Sequence, residues 1–159
     1  MKLKYLFIAF GLTIVVSCKK DETTATPTPC PVVKTAEELL CAKTWRIDEF
    51  RQRYNSGTNN GVDIYYKLGG VGNTVNYDSD SVKFNINNTG VYYSLGSQYT
   101  TTWNFVDVPK SKMTLTINYL TPLIDHLETI SLSEDYFRYS QYTTYNGVSY
   151  LGAGTRTPN

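Results

Sequence analysis

Ser81-Val82-Lys83-Phe84-Asn85-Ile86-Asn87-Asn88-Thr89-Gly90-Val91-Tyr92-Tyr93-Ser94-Leu95 carries the clearest structural signal in the chain. Val82, Phe84 and Ile86 alternate with polar residues, Asn87-Asn88-Thr89-Gly90 supplies a turn, and Val91, Tyr93 and Leu95 resume the alternation. A period of two is the mark of a half-buried strand, so the segment predicts a β-hairpin with one apolar face.

Moving toward the C-terminus, the device repeats. Tyr99, Thr101, Trp103 and Phe105 lead into Pro109-Lys110-Ser111, and Met113, Leu115 and Ile117 return against Thr114, Thr116 and Asn118. Two further strands are expected at 123–132 and 136–145, joined at Ser133-Glu134-Asp135, and Asn146-Gly147 is a hairpin signal before a last run at 148–151. Moving toward the N-terminus, residues 45–54 read as the first strand, and 62–68 as a possible one. The latter lies in a long Asn- and Gly-rich region between Asn55 and Asp80, of the kind that often binds ligands. Thr35-Ala36-Glu37-Glu38 is a capping box in front of a short helix. About eight strands joined mostly by tight turns predict an all-β fold, an antiparallel up-and-down barrel after one short helix. A barrel of that size encloses either side chains or one small ligand.

The first residues have a different character. Lys2 and Lys4 precede an uncharged run from Tyr5 to Val16, too short for the ~20 residues of a membrane span but suited to a secretory signal. Val15-Val16-Ser17-Cys18 resembles the lipobox of bacterial lipoproteins. The resemblance implies cleavage before Cys18, a diacylglycerol and a palmitate-type acyl chain on that cysteine, and anchorage to the outer membrane. Residues 18–34 then form a Thr- and Pro-rich tether, and Lys19-Lys20-Asp21-Glu22 resembles a signal for export to the cell surface, the alternative being a merely solvated charged run and a domain facing the periplasm. Residues 35–159 form the single folded domain.

Composition narrows the function. Removing Lys2 and Lys4 from the 15 basic residues leaves them almost balanced by 14 acidic ones, which gives no electrostatic basis for binding nucleic acid. With Cys18 lipidated, Cys30 and Cys41 remain as a pair; in an oxidising compartment they predict a disulfide, the alternative being two free thiols. One histidine and no CxxC offer no zinc ligand set. Asn76-Tyr77-Asp78-Ser79-Asp80 has alternating oxygen ligands but lacks the glycine and distal glutamate of a calcium loop, so it reads as a polar turn. No metal or cofactor is expected.

Trp45, Asp80-Ser81-Val82-Lys83-Phe84, Asn88-Thr89-Gly90-Val91-Tyr92, Trp103-Asn104-Phe105, Leu115-Thr116-Ile117, Ile130-Ser131-Leu132-Ser133 and Phe137-Arg138-Tyr139 together resemble, in order and spacing, the lipocalin-like lipoproteins of Bacteroidetes-type bacteria. Lys43 departs from the pattern, standing where lipocalins proper favour glycine. The resemblance implies a small barrel with a hydrophobic pocket and no enzymatic chemistry. Trp45, Phe84, Tyr93, Trp103, Phe105 and Tyr139 are expected to face inward. If alternation holds back from Ile130 and Leu132, His126 and Glu128 also line the pocket mouth; a β-bulge would turn them out. No serine motif accompanies His126. The 14 tyrosines suit a mixed polar and apolar pocket, or strand packing alone. The expected function is capture of a small apolar or amphipathic ligand. The alternative is an interaction module docking on an envelope protein or glycan through a Tyr-rich surface.

Overall fold

The structure, a computed structural model, describes residues 33–55, 63–145 and 148–159. The signal segment 1–17, Cys18, most of the tether, Cys30 and the Asn146-Gly147 turn lie outside the described residues.

Among the described residues one helix, α1 (Ala36–Cys41), precedes nine strands: β1 (Thr44–Asn55), β2 (Asp63–Lys67), β3 (Ser81–Phe84), β4 (Thr89–Ser94), β5 (Ser97–Phe105), β6 (Met113–Ile117), β7 (Leu123–Leu132), β8 (Phe137–Tyr145) and β9 (Val148–Pro158). The capping box forms with both of its arms. The Glu38 amide donates to Thr35 Oγ1 at 3.1 Å, and the Thr35 amide donates to Glu38 Oε2 at 2.8 Å. These bonds satisfy amide groups that so short a helix otherwise leaves bare.

Eight strands close into an antiparallel barrel, β1-β3-β4-β5-β6-β7-β8-β9, with β9 returning to β1 over nearly its whole length. β2 is an extra strand. It pairs with β1 from Glu49 to Arg53, beyond the three-residue pairing of β1 with β3. β9 runs to Pro158, well past the end at Leu151 that alternation predicts, because Gly152, Gly154 and Arg156 replace the apolar residues expected on its inner face. A Cβ on Gly154 would lie 2.6 Å from the Tyr139 ring, so glycine there lets that ring lie flat across the neighbouring strand.

Two irregularities change which residues face inward. In β1 the pairing with β9 slips between Ile47 and Glu49, so Trp45 and Ile47 point in before the slip and Phe50 and Gln52 after it. In β7 the pairing with β8 slips between Glu128 and Ser131, where Thr129 has φ 51°. Asp125 and Leu127 are therefore buried, while His126 and Glu128 are exposed. The inward placement of His126 and Glu128 expected from strict alternation is thus corrected by the bulge. Tyr93 is corrected too: Gly90, Tyr92 and Ser94 form the inner row of β4, and Tyr93 stands half-buried on the other face. Gly90 sits opposite Thr101, and a Cβ there would lie 2.4 Å from the Lys83 carbonyl. The inner row of β4 therefore starts at glycine, and counting from Val91 puts every residue out of phase.

Candidate functional site

The two ends of the barrel are built differently. At one end Leu40, Trp45, Val82, Phe84, Trp103, Phe105, Met113 and Phe137 form a continuous buried core under α1. Trp45 Nε1 donates to the Leu40 carbonyl at 2.8 Å, tying helix to barrel. Trp103 Nε1 donates to the carbonyls of Thr89 at 3.0 Å and Asn85 at 3.2 Å, tying the β3–β4 turn. Edge-to-face contacts link Phe137 to both Trp45 and Phe84, each at 6.1 Å. Trp45, Trp103 and Phe105, expected in the pocket, are filling material at this end instead.

The other half of the barrel holds a cavity of about 740 Å³, within the range of small-molecule sites. Leu115, Ile117, Leu123 and Leu127 supply one apolar wall, and Ile47, Phe50 and Phe84 another. Tyr77, Tyr92, Tyr99, Tyr119, Tyr139 and Tyr150 also line it, as do Gln52, Asp80, Ser94, Asp125, Gln141, Thr143 and Arg156. Leu120 and Thr121, both exposed, form part of its margin, so the cavity reaches solvent there. Of the expected pocket residues, Phe84 and Tyr139 line this space.

β2 and the segment after it wall one side. Tyr66 is buried with Ile47 and Phe50, and Tyr77 packs edge-on to Phe50 at 5.8 Å and Tyr66 at 5.5 Å. Asn73 and Thr74 bind the backbone of Lys67 and Tyr65. The described part of the long Asn- and Gly-rich region is therefore wall, held by specific bonds. Within it, the Asp78 amide donates to Asn76 Oδ1 and Tyr66 Oη donates to Asp78 Oδ1, both at 2.8 Å. Two of the oxygens that resembled calcium ligands, Asn76 Oδ1 and Asp78 Oδ1, thus accept from protein donors.

Three charged side chains stand inside, each close to fully buried: Asp80, Asp125 and Arg156. Arg156 Nε donates to Tyr139 Oη at 3.2 Å, and Nη1 reaches the Trp45 carbonyl at 3.4 Å. Its guanidinium lies 6.0 Å from the Tyr92 ring and 5.9 Å from the Tyr139 ring. Tyr92 Oη in turn donates to Asp80 Oδ2 at 2.7 Å, and Ser94 donates to the same carboxylate. Burial pushes the Tyr92 phenol well up, and that of Tyr119 up to about 12, so both remain neutral hydroxyls at physiological pH. Asp125 accepts from Gln141 Nε2 at 2.8 Å. Burial pushes Asp125 up to about 6, against the opposing pull of Thr143, Gln141, Arg156 and His126.

These three charges were not legible as a set. For Asp125 a signal existed, since Leu123, Asp125 and Leu127 alternate in phase; it conflicts with Ile130 and Leu132, and that conflict marks the bulge. Arg156 follows two glycines and carries no apolar pattern.

Outside the barrel, His126 stacks loosely on Tyr142 at 6.3 Å, and Glu128 pairs with Lys112 at 3.2 Å. The expected disulfide is not found: Cys41 is a free thiol, half-buried against the core, and Cys30 lies outside the described residues. Burial raises the Cys41 thiol above its ordinary range. No family model matches the chain, and no similar curated protein or solved structure was found.

Proposed function

We propose that this chain is a membrane-anchored, non-enzymatic binding protein that takes a small apolar or amphipathic ligand into the open half of its barrel. The observation that carries the reading is the cavity of about 740 Å³, roofed by a solid core at one end and reaching solvent at the other. Its wall mixes leucine and isoleucine with tyrosine hydroxyls and a few buried polar groups, the composition that orients an amphipathic molecule. Six tyrosines turn into this space, which favours ligand capture over docking on an envelope protein or glycan through a Tyr-rich surface.

Because Trp45 and Trp103 sit in the filled end, their emission reports folding more than occupancy. Occupancy is better read by equilibrium dialysis or by the rise in melting temperature that any ligand of the native state produces. A panel of fatty acids, long-chain amines, sterols and haem tests the reading: stoichiometric binding that Leu123→Trp abolishes without unfolding supports it. Flat results across the panel, together with no copurifying small molecule by native mass spectrometry, count against it.

The anchor is tested separately. Cys18→Ala is expected to move the chain from the membrane fraction to the soluble fraction and to end incorporation of labelled palmitate. Unchanged membrane association sinks that part of the proposal.

A further inference from the structure

The charges inside the barrel do not balance in space. Tyr92 lies between Arg156 and Asp80, donating to the carboxylate while its ring faces the guanidinium, so these two opposite charges are joined through one phenol. Asp125 has no cation in contact: among the described residues no lysine or arginine forms an ion pair with it, and Arg156 acts on it only from beyond ion-pair distance. Its firm donor is the Gln141 amide. The Thr143 hydroxyl beside it donates to the Ile124 carbonyl at 2.6 Å and also draws the Asp125 pKa down as a polar neighbour, without supplying a charge. A carboxylate has about four lone-pair positions, so Asp125 keeps acceptor capacity facing the cavity that it lines. A buried carboxylate without a cation is costly unless something charged or proton-donating completes it.

We propose that the cavity selects amphiphiles bearing a protonated amine, with the ammonium group seated against the Asp125 carboxylate and the hydrocarbon part against Leu115, Ile117 and Leu123. The inference rests on the cavity being a ligand site and adds the class of ligand. An ammonium brings three donors and a positive charge in direct contact with the carboxylate. A ligand carboxylate would instead add a third anion to a space already holding Asp80 and Asp125, with the single guanidinium engaged by two tyrosines and a backbone carbonyl.

The pairing also predicts a pH dependence. Around Asp125, β6 presents Leu115 between two threonines, β8 presents Gln141 and Thr143, and β9 carries Arg156. Tyr119 and Asp80 lie in the same cavity, and His126 sits on the outer face of β7. Asp125, with its carboxyl pushed up to about 6, takes a proton between neutral and mildly acid solution while an aliphatic amine keeps its own.

The test is equilibrium dialysis of the full chain against octylamine, octanol and octanoate, at about pH 7.5 and about pH 5, for the natural protein and for Asp125→Asn. The amine is expected to bind about tenfold more tightly than the alcohol at the higher pH, with octanoate weakest. That advantage should shrink severalfold at the lower pH and vanish in Asp125→Asn. Octanoate binding as well as octylamine, or an amine preference surviving in the variant, overturns the proposal. Equal binding of all three overturns amine selection while leaving the cavity a ligand site; binding of none also overturns amine selection, and the wider panel above then decides whether the cavity takes any ligand. Should Asp125→Asn not fold, the ligand series and its pH dependence in the natural protein decide the matter alone.

Discussion

The α1 end of the barrel and its opposite half share the same strands, yet one is solid and the other hollow. At the α1 end the inner rows carry Trp45, Phe84, Trp103, Phe105 and Phe137, and α1 lays Leu40 across the opening. Further along those strands the inner positions become Gln52, Ser94, Tyr99, Gln141, Thr143 and Tyr150. Inner faces that would meet across a small barrel stay apart when their residues are short or polar and, as among the described residues here, no helix covers the end. Stability is thus concentrated in one half, leaving the other free to hold something else.

The largest effect should come from the solid end. Trp45→Ala removes a buried ring, its contact with Phe137 and the bond to Leu40, and is expected to cost about 3–5 kcal/mol in urea denaturation. A loss under about 1 kcal/mol would break the distinction between the two halves.

Asp125→Asn should act in the opposite direction. Burial raises the folded-state pKa of Asp125 from 3.8 to about 6, so the protonated form is favoured by folding. The associated stabilisation is complete below about pH 4 and is lost as the pH rises through about 6. Asparagine avoids the ionisation, so the variant should gain up to about 3 kcal/mol near neutral pH and nothing near pH 4, read from melting temperatures across that range. Equal effects at both ends of the range would remove the buried ionisation as the cause.

Filling the hollow half sharpens the contrast. Leu123→Trp should change stability by less than about 1 kcal/mol because the ring has space to occupy, whereas Val82→Trp in the solid end should be overpacked by about 1–3 kcal/mol or more. The smallest effect is expected outside the wall. His126→Ala should alter stability by no more than about 0.5 kcal/mol and leave ligand affinity unchanged, since the side chain faces away from the cavity. A marked loss of binding in that variant would reopen the placement of the cavity wall.

Much of this architecture was legible, and the failures share a cause. The inner rows of β5 and β6 follow from simple alternation, and the capping box marks α1. Tyr93, His126 and Glu128 were misplaced where phase was carried across a turn or a bulge, at Gly90 and at Thr129. A single-residue slip turns every later side chain to the other face. Of the expected pocket aromatics, Trp45, Trp103 and Phe105 were correctly inward but belong to the filled end, because alternation gives a side of the strand and says nothing of height along the barrel.

The sequence by itself determined the all-β character, the hairpin order and most of the inward residues, because turn chemistry and side-chain alternation act over a few neighbours. Only the tertiary structure decided the register in which β9 closes on β1, the placement of β2 as an added wall, the hollow half, and the meeting of Asp80, Asp125 and Arg156 within it. Those outcomes depend on the register between strands far apart in the chain and on bulges whose phase shifts accumulate, and no local pattern encodes either one.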